Sequence, residues 1–246
     1  ILSVPETCGL ILVGLLLVMA YVRHAKVAKN PILDLQLLSV ETLRVSLTAG
    51  FFFRVAAGAI PFLLPLLLQI AFNATPFQSG LITCVAALGA LLMKFVAAGM
   101  LKRFGFRRLL IINGVISCAF MACMATFTAT TPLLMIYVVL LAGGLARSLQ
   151  FTSLNSMAFS DIPNAAIARA NGLYTVAQQL SLALGVALAA VILEISQYLR
   201  GAAELGQRDF ATAFLVVAVG GLLAIPTFLK LKPSAGEAVS GHVAGA

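Results

Sequence analysis

Seven long apolar runs, each separated from the next by a short polar stretch, organise the whole sequence. Each run holds about 20 mostly apolar residues, the length that an α-helix needs to cross a hydrocarbon core roughly 30 Å thick. The runs lie at residues 2–22, 46–72, 78–101, 109–129, 132–156, 168–193 and 210–230. They lack the alternating polarity of barrel strands, and a helix satisfies all of its backbone groups within one segment. The pattern therefore predicts an all-α, polytopic membrane protein with seven transmembrane helices.

Composition supports a membrane location. Hydrophobic residues make up 61% of the chain and charged residues only 10%, whereas a soluble domain keeps about 25% of its residues charged. Because so few charges could not cover a water-facing surface, we expect the lipid bilayer to be the main solvent. The cations that give the net charge of +8 are distributed over several loops and do not form one continuous patch. No nucleic-acid partner is therefore predicted.

The cations predict an orientation. If the first run ends in the cytoplasm, eleven cations fall on that side and two, Arg200 and Arg208, on the other. The eleven are Arg23, Lys26, Lys29, Arg44, Lys102, Arg103, Arg107, Arg108, Arg169, Lys230 and Lys232. This bias is the one that the positive-inside rule describes. We expect a multi-pass protein of the cytoplasmic (inner) membrane with a cytoplasmic C-terminus.

Polar side chains inside the apolar runs are the candidates for a functional site. A step of 3.6 residues places Arg54, Pro61, Pro65 and Gln69 on one face of the second run. Runs three, five and six add further polar residues. The full set of predicted cavity residues is Arg54, Pro61, Pro65, Gln69, Lys94, Arg147, Gln150, Asn171 and Gln178.

Each of these candidates also has a structural interpretation. The three cations lie in the predicted cytoplasmic halves of their runs and can extend toward the membrane surface. The amides can serve as hydrogen bonds between helices. The two prolines can kink their helix or mark a segment that bends during function, and Gly143–Gly144 predicts a second interrupted helix.

A cluster of cations fills the break between the third and fourth runs, in the stretch GMLKRFGFRR. Its candidate residues are Lys102, Arg103, Gly105, Arg107 and Arg108. Such a cluster sets topology and contacts anionic lipid. Gly105 permits a tight turn with positive φ between antiparallel helices, and the cations can reach the C-terminal carbonyls of neighbouring helices.

Three stretches resemble a known family. LKRFGFRRLL is similar to the motif that joins the second and third helices of each half in the major facilitator superfamily, with Ala98 in place of its first glycine and Lys102 in place of its acid. NPILDLQLL and PLLLQIAFNATPFQSGLI resemble segments of its fourteen-span drug:proton antiporters.

This resemblance implies a secondary active transporter that exports drugs or other small amphipathic molecules. It implies a proton gradient as the energy source and no cofactor. The chain, which begins with Ile1, would be a C-terminal fragment whose partner, an N-terminal half, is absent. Its parts would be a linker helix and cytoplasmic loop at 1–30, a bundle of two three-helix inverted repeats at 31–232, and a flexible cytoplasmic tail at 233–246.

Enzyme chemistry is not predicted, because the sequence has no Ser/His/Asp set, no metal-ligand spacing and no phosphate-binding loop. Nor does any acidic residue fall at the middle of a run, so proton-coupling carboxylates are expected in the absent half. Two alternatives stay open at this point. One is a seven-helix membrane receptor or scaffold, and the other is a half-transporter that acts as a dimer.

Overall fold

The computed structural model describes residues 13, 14, 16, 17, 19–21, 23, 24, 33–232 and 236, and their regular structure is entirely helical. The predicted all-α fold is therefore confirmed for the described residues. The helices are α1 Glu41–Leu66, α2 Pro76–Cys123, α3 Leu133–Phe159, α4 Ile167–Arg200, α5 Gln207–Leu222 and α6 Ile225–Leu229. Short 3₁₀ helices occupy Leu35–Ser39, Met124–Thr126 and Asn164–Ala166, and a π-helix at Leu67–Ala71 extends α1.

The predicted count of seven transmembrane helices is not confirmed. Within the described residues, five helical segments are long and apolar enough to cross a membrane: Glu41–Ala71, Pro76–Thr126, Leu133–Phe159, Asn164–Arg200 and Gln207–Leu229. The predicted first span, 2–22, and the predicted tail, 233–246, lie almost entirely outside the described residues.

One of these segments, α2, is a hairpin of two helices. Its 48 residues would measure about 72 Å if straight, more than twice the thickness of a hydrocarbon core. The helix breaks at Gly105, where φ is 68° and ψ is 167°. We name the arms on either side α2a (76–104) and α2b (106–123).

The two arms run in opposite directions along α3. In α2a the Ala90 carbonyl accepts a hydrogen bond from the Ser148 hydroxyl (2.9 Å), and Ala86 lies against Gly144, so the arm runs parallel to α3. In α2b the Leu110 carbonyl accepts from the Gln150 amide (3.1 Å), while Phe120 meets the earlier residue Gly143. The chain therefore reverses at Gly105, as the sequence predicted for this turn.

Two close helix crossings hold the bundle together. Gly58 of α1 lies so near the Leu182 carbonyl of α4 that an added Cβ would be 2.5 Å from its oxygen. Gly185 of α4 is as tightly placed against the backbone of α1, with an added Cβ 3.0 Å from the Ala59 nitrogen. Small residues permit such approach where lipid gives no hydrophobic drive to helix association.

The second crossing repeats this arrangement between α2a and α3. An added Cβ at Gly89 would lie 3.0 Å from the Leu145 nitrogen, and one at Gly144 would lie 3.0 Å from the Ala86 Cα. The prediction that Gly143–Gly144 interrupts its helix is wrong, because α3 is continuous through both residues. Their lack of a side chain serves close packing instead of a break.

Helix α1 is the most buried of the spans. In its apolar window 61% of residues are buried, compared with 22% in α2 and in α4. It stays helical through Pro61 and Pro65 and changes to a π-helix only from Leu67. Each proline removes one backbone donor from the helix. The Pro65 carbonyl also accepts from the Ser79 hydroxyl (3.4 Å).

Several helices extend beyond the predicted apolar runs. The clearest case is α4, predicted at 168–193, which continues through a polar last turn to Arg200 and ends at Gly201 with φ 63°. A left-handed glycine at this position is a common helix stop. Apolar windows miss such polar ends because they measure hydrophobicity rather than capping.

Candidate functional site

Arg54 lies at the centre of the candidate site. Its side chain is 0% exposed although it carries a charge within an apolar span. The guanidinium folds back along α1 over Gly50, where an added Cβ would lie 2.6 Å from Nη1. A side chain at position 50 would therefore displace the charge from its site.

Three groups contact the Arg54 guanidinium. Nη1 donates to the Ser46 carbonyl (3.3 Å), and Nη2 donates to the Tyr174 hydroxyl. Cζ also lies 4.6 Å from the centroid of the Tyr174 ring, a cation–π arrangement. Such a contact is worth about 2 kcal/mol when it is desolvated.

These contacts tie together three helices. The Tyr174 hydroxyl of α4 donates to Asn155 Oδ1 of α3 (2.5 Å), and the Ser46 hydroxyl of α1 donates to the Leu154 carbonyl of α3 (2.7 Å). We call Arg54, Ser46, Tyr174 and Asn155 the Arg54 cluster. Sequence reasoning singled out only Arg54. Tyr174 carried a usable signal, since it lies three residues after Asn171 and four before Gln178 on the polar stripe of α4.

No described carboxylate forms an ion pair with Arg54, since the described ion pairs involve other residues. Its Nε also lacks a hydrogen-bond partner among the described residues. An intramembrane charge costs about 2.5–3.5 kcal/mol even on the lenient insertion scale. The neutral partners Ser46 and Tyr174 offset part of this cost.

A smaller polar group lies at the other end of α1. The Gln69 amide donates to the Ser79 hydroxyl (3.5 Å), which donates in turn to the Pro65 carbonyl (3.4 Å). Pro65 and Gln69 are half-buried, and Pro61 is exposed. The structure therefore brings two of the predicted residues together through Ser79, away from Arg54.

Gln150 is fully buried and is satisfied within the bundle. Its amide donates to the Leu110 carbonyl (3.1 Å), and its oxygen accepts from the Asn113 amide (2.8 Å). Asn113 also donates to the Ala146 carbonyl (2.8 Å). These bonds join α2b to α3, so in this conformation Gln150 acts between helices.

Four predicted residues remain on or near open surface. Lys94 and Asn171 are exposed, and Arg147 and Gln178 are half-buried. No side-chain hydrogen bond or ion pair joins any of the four to another described residue. A polar side chain within an apolar span needs water, a lipid headgroup or another polar group as its partner.

The basic turn contains a glycine with positive φ and an arginine that caps a neighbouring helix. Gly105 is buried in a conformation that is almost restricted to glycine. Arg107 Nη2 donates to the Leu229 carbonyl at the end of α6 (3.0 Å), where positive charge is favoured. Lys102, Arg103 and Arg108 are exposed, and Arg103 lies 5.5 Å from the Phe104 ring centroid.

A buried carboxylate at the opposite end of the bundle was missed in the sequence. Asp209 is 0% exposed and forms an ion pair with Arg200. It also accepts from the Ser196 hydroxyl (2.7 Å) and the Gly206 N–H (2.8 Å). Asp209 immediately precedes the apolar run predicted at 210–230 and lies in the first turn of α5, where an acid is stabilised. The sequence signal for this helix start was an acidic residue three positions after Gly206.

Comparison with known proteins gives a family match. The family profile described as Major Facilitator Superfamily matches residues 46–244. This range includes the Arg54 cluster, the basic turn and all of the helices from α2 to α6.

Curated relatives agree with this match. The chain is 29% identical over 221 residues to "Putative multidrug resistance protein MdtD" of Pectobacterium atrosepticum, covering 90% of this chain and 47% of the relative. It is 30% identical over 238 residues to the MdtD protein of Escherichia coli K12, covering 93% and 48%. It is 27% identical over 231 residues to "Probable transport protein HsrA" of Haemophilus influenzae, covering 94% and 50%. The chain thus spans about half the length of the relatives that it matches.

Proposed function

Because the chain belongs to the major facilitator superfamily, a family of membrane transporters rather than enzymes, we propose that it is the C-terminal half of a secondary active transporter. The half-length match to relatives named for multidrug resistance supports this proposal. The substrates would be drugs or other small amphipathic molecules, and transport would be efflux across the bacterial inner membrane. The C-terminus would be cytoplasmic, since the basic turn and Arg169 lie on the same side as α6.

One observation carries the mechanism: a buried cation, Arg54, joins three helices without a described carboxylate. In a rocking-bundle transporter, helices that line the pathway must separate and rejoin. The Arg54 cluster holds α1, α3 and α4 together near one membrane face. An anionic group of the substrate or of the absent N-terminal half would complete the site and shift this equilibrium.

The energy source is part of the same proposal. Proton coupling needs an intramembrane group that gains and loses a proton, usually a carboxylate. Two carboxylates of the described residues are buried: Asp209 lies at the opposite end and is held by Arg200, and Asp34 lies before α1 and pairs with Arg169. We therefore place the coupling carboxylates in the N-terminal half, facing the predicted cavity residues Arg54, Lys94, Arg147, Asn171 and Gln178.

Vesicle transport tests the proposal. Protein made from the complete reading frame would be reconstituted, and the movement of a lipophilic cation would be followed under an imposed pH gradient. We expect transport that a protonophore abolishes, and a rate reduced at least about tenfold by Arg54→Met, equivalent to about 1.4 kcal/mol. Arg44→Met is the matched control, because Arg44 is an exposed arginine of the same helix.

Three results would contradict parts of the proposal. Transport that survives the protonophore would reject proton coupling. Equal rates for Arg54→Met and Arg44→Met would reject the role of the cluster. Full transport by the 246-residue chain alone would favour the half-transporter that acts as a dimer.

A further inference from the structure

A long groove between α4 and α5 is separate from the Arg54 cluster. Its first part has a volume of about 510 Å³ and lies near the turn that joins the two helices. Its second part, about 340 Å³, lies deeper and also meets α1. Val216 lines both parts, which therefore adjoin along α5.

The groove is polar at one end and apolar along the rest. Arg200, Arg208, Ser196 and Thr212 line the part near the turn. The deeper part is lined by aliphatic and aromatic side chains, including Phe51, Leu184, Leu188, Val217 and Leu223. Because both helices end at this turn, the polar end lies at a membrane surface.

The groove has the length of one leaflet. Leu184, in the deep part, precedes Arg200 by sixteen residues, or about 24 Å of helix rise. Half of a complete bilayer, headgroups included, measures about 20–22 Å. A transmembrane helix packed along the same face would extend through both leaflets, about 40–45 Å with the headgroup regions, and so well beyond the end of this groove.

The charge at the mouth is positive. Arg200 is held by Asp209 and donates to the Glu204 carbonyl (2.9 Å). By contrast, the exposed side chain of Arg208 has no hydrogen bond or ion pair with any described residue. The Glu204 side chain and Glu194 do not line the groove. The Arg208 guanidinium therefore has no counter-ion among the described residues at the mouth of the groove. Guanidinium groups bind phosphate in a bidentate geometry.

From this geometry we infer that the α4–α5 groove binds one anionic phospholipid of the bilayer. Arg208 binds the headgroup phosphate, and an acyl chain lies along the apolar part as far as Leu184. The site would select lipid by headgroup charge. It is independent of the proposed transport function.

Quenching by brominated lipid tests this inference, because the sequence contains no Trp. Val219→Trp places one reporter at the edge of the groove, where residue 219 is 62% exposed and does not line the site. The chain would be reconstituted in vesicles containing brominated phosphatidylglycerol or, at equal mole fraction, brominated phosphatidylcholine. We expect a preference for phosphatidylglycerol of roughly fivefold, the effect of one cation near a membrane surface.

Two variants locate the preference, each with a matched control. Arg208→Gln should reduce the ratio of quenching by phosphatidylglycerol to quenching by phosphatidylcholine to about one. Arg44→Gln, at an exposed arginine elsewhere, should leave this ratio unchanged. Gly220→Phe should also remove the preference by filling the apolar part, since an added Cβ at Gly220 meets no atom within 4 Å. Gly99→Phe, at an equally open glycine of α2a, should have no effect.

Either of two results would overturn the inference. One is an equal quenching of the reporter by both lipids in the otherwise unchanged chain. The other is a preference that persists in Arg208→Gln or in Gly220→Phe. Quenching is read in the bilayer without transport, so the result does not depend on the proposed function.

Discussion

A double-mutant cycle between Arg54 and Tyr174 measures how strongly the Arg54 cluster holds the bundle. Tyr174→Phe keeps the ring under the guanidinium but removes the hydroxyl that accepts from Arg54 and donates to Asn155. The bond to the charged group contributes about 1.5–3 kcal/mol, and the neutral bond to Asn155 contributes about 1 kcal/mol. In an Arg54→Met background only the neutral bond remains to be lost. We therefore expect a coupling free energy of about 1.5–3 kcal/mol.

The assay is the free energy of unfolding in bicelles, measured by steric trapping for the parent chain, both single variants and the double variant. Arg54→Met combined with Gln69→Leu is the control cycle. Gln69 lies fifteen residues further along α1, about 22 Å away, and bonds to Ser79. Effects at this separation should add to within about 0.5 kcal/mol. A coupling between Arg54 and Tyr174 no larger than that of the control would show that their contact does not stabilise the bundle.

Three further substitutions test other contacts through the same unfolding measurement. Gly105→Ala should lower the free energy of unfolding by about 1–3 kcal/mol, because its backbone conformation is nearly restricted to glycine; a loss no greater than that of Gly99→Ala would contradict this. Gly144→Ala should cost roughly 2–3 kcal/mol by forcing α2a from α3, and an effect equal to that of Gly80→Ala, where nothing lies within 4 Å of an added Cβ, would reject it. Asp209→Asn should cost about 1.5–3 kcal/mol, because an amide cannot accept from all four donors of the carboxylate, which are Arg200 Nε, Arg200 Nη2, the Ser196 hydroxyl and the Gly206 N–H; unchanged stability would show that Arg200 does not depend on it.

Local signals in the sequence predicted part of the fold. Apolar run length predicted the membrane helices, and the glycine among cations at 102–108 predicted the reversal at Gly105. Both predictions require only a short stretch of chain and the nature of the solvent around it. Gly143–Gly144 shows the limit of such signals. Glycine permits either a break in a helix or a close crossing of two helices. Here Ala86 of α2a packs against Gly144, so the glycines serve a close crossing.

The candidate site depended more on distant contacts. Helical periodicity placed Arg54 on a polar face, but its partner Tyr174 is 120 positions away along the chain. Gln150 showed the same polarity as the cavity candidates, yet Asn113 and the Leu110 carbonyl satisfy it within the bundle. Periodicity identifies the face of a helix on which a polar group lies. It does not identify the helix that packs there.

The proposed transport function requires that the predicted cavity residues of α4, Asn171 and Gln178, border an aqueous pathway, and cysteine labelling at Gln178 measures this. In the complete protein with native cysteines removed, Gln178→Cys and Val219→Cys would be exposed to a water-soluble maleimide. Both positions lie about 17–18 Å of helix rise from the start of their helices, and thiolates form only where water is present. We expect labelling of Gln178→Cys and none of Val219→Cys. A Gln178→Cys variant as unreactive as Val219→Cys would contradict this expectation.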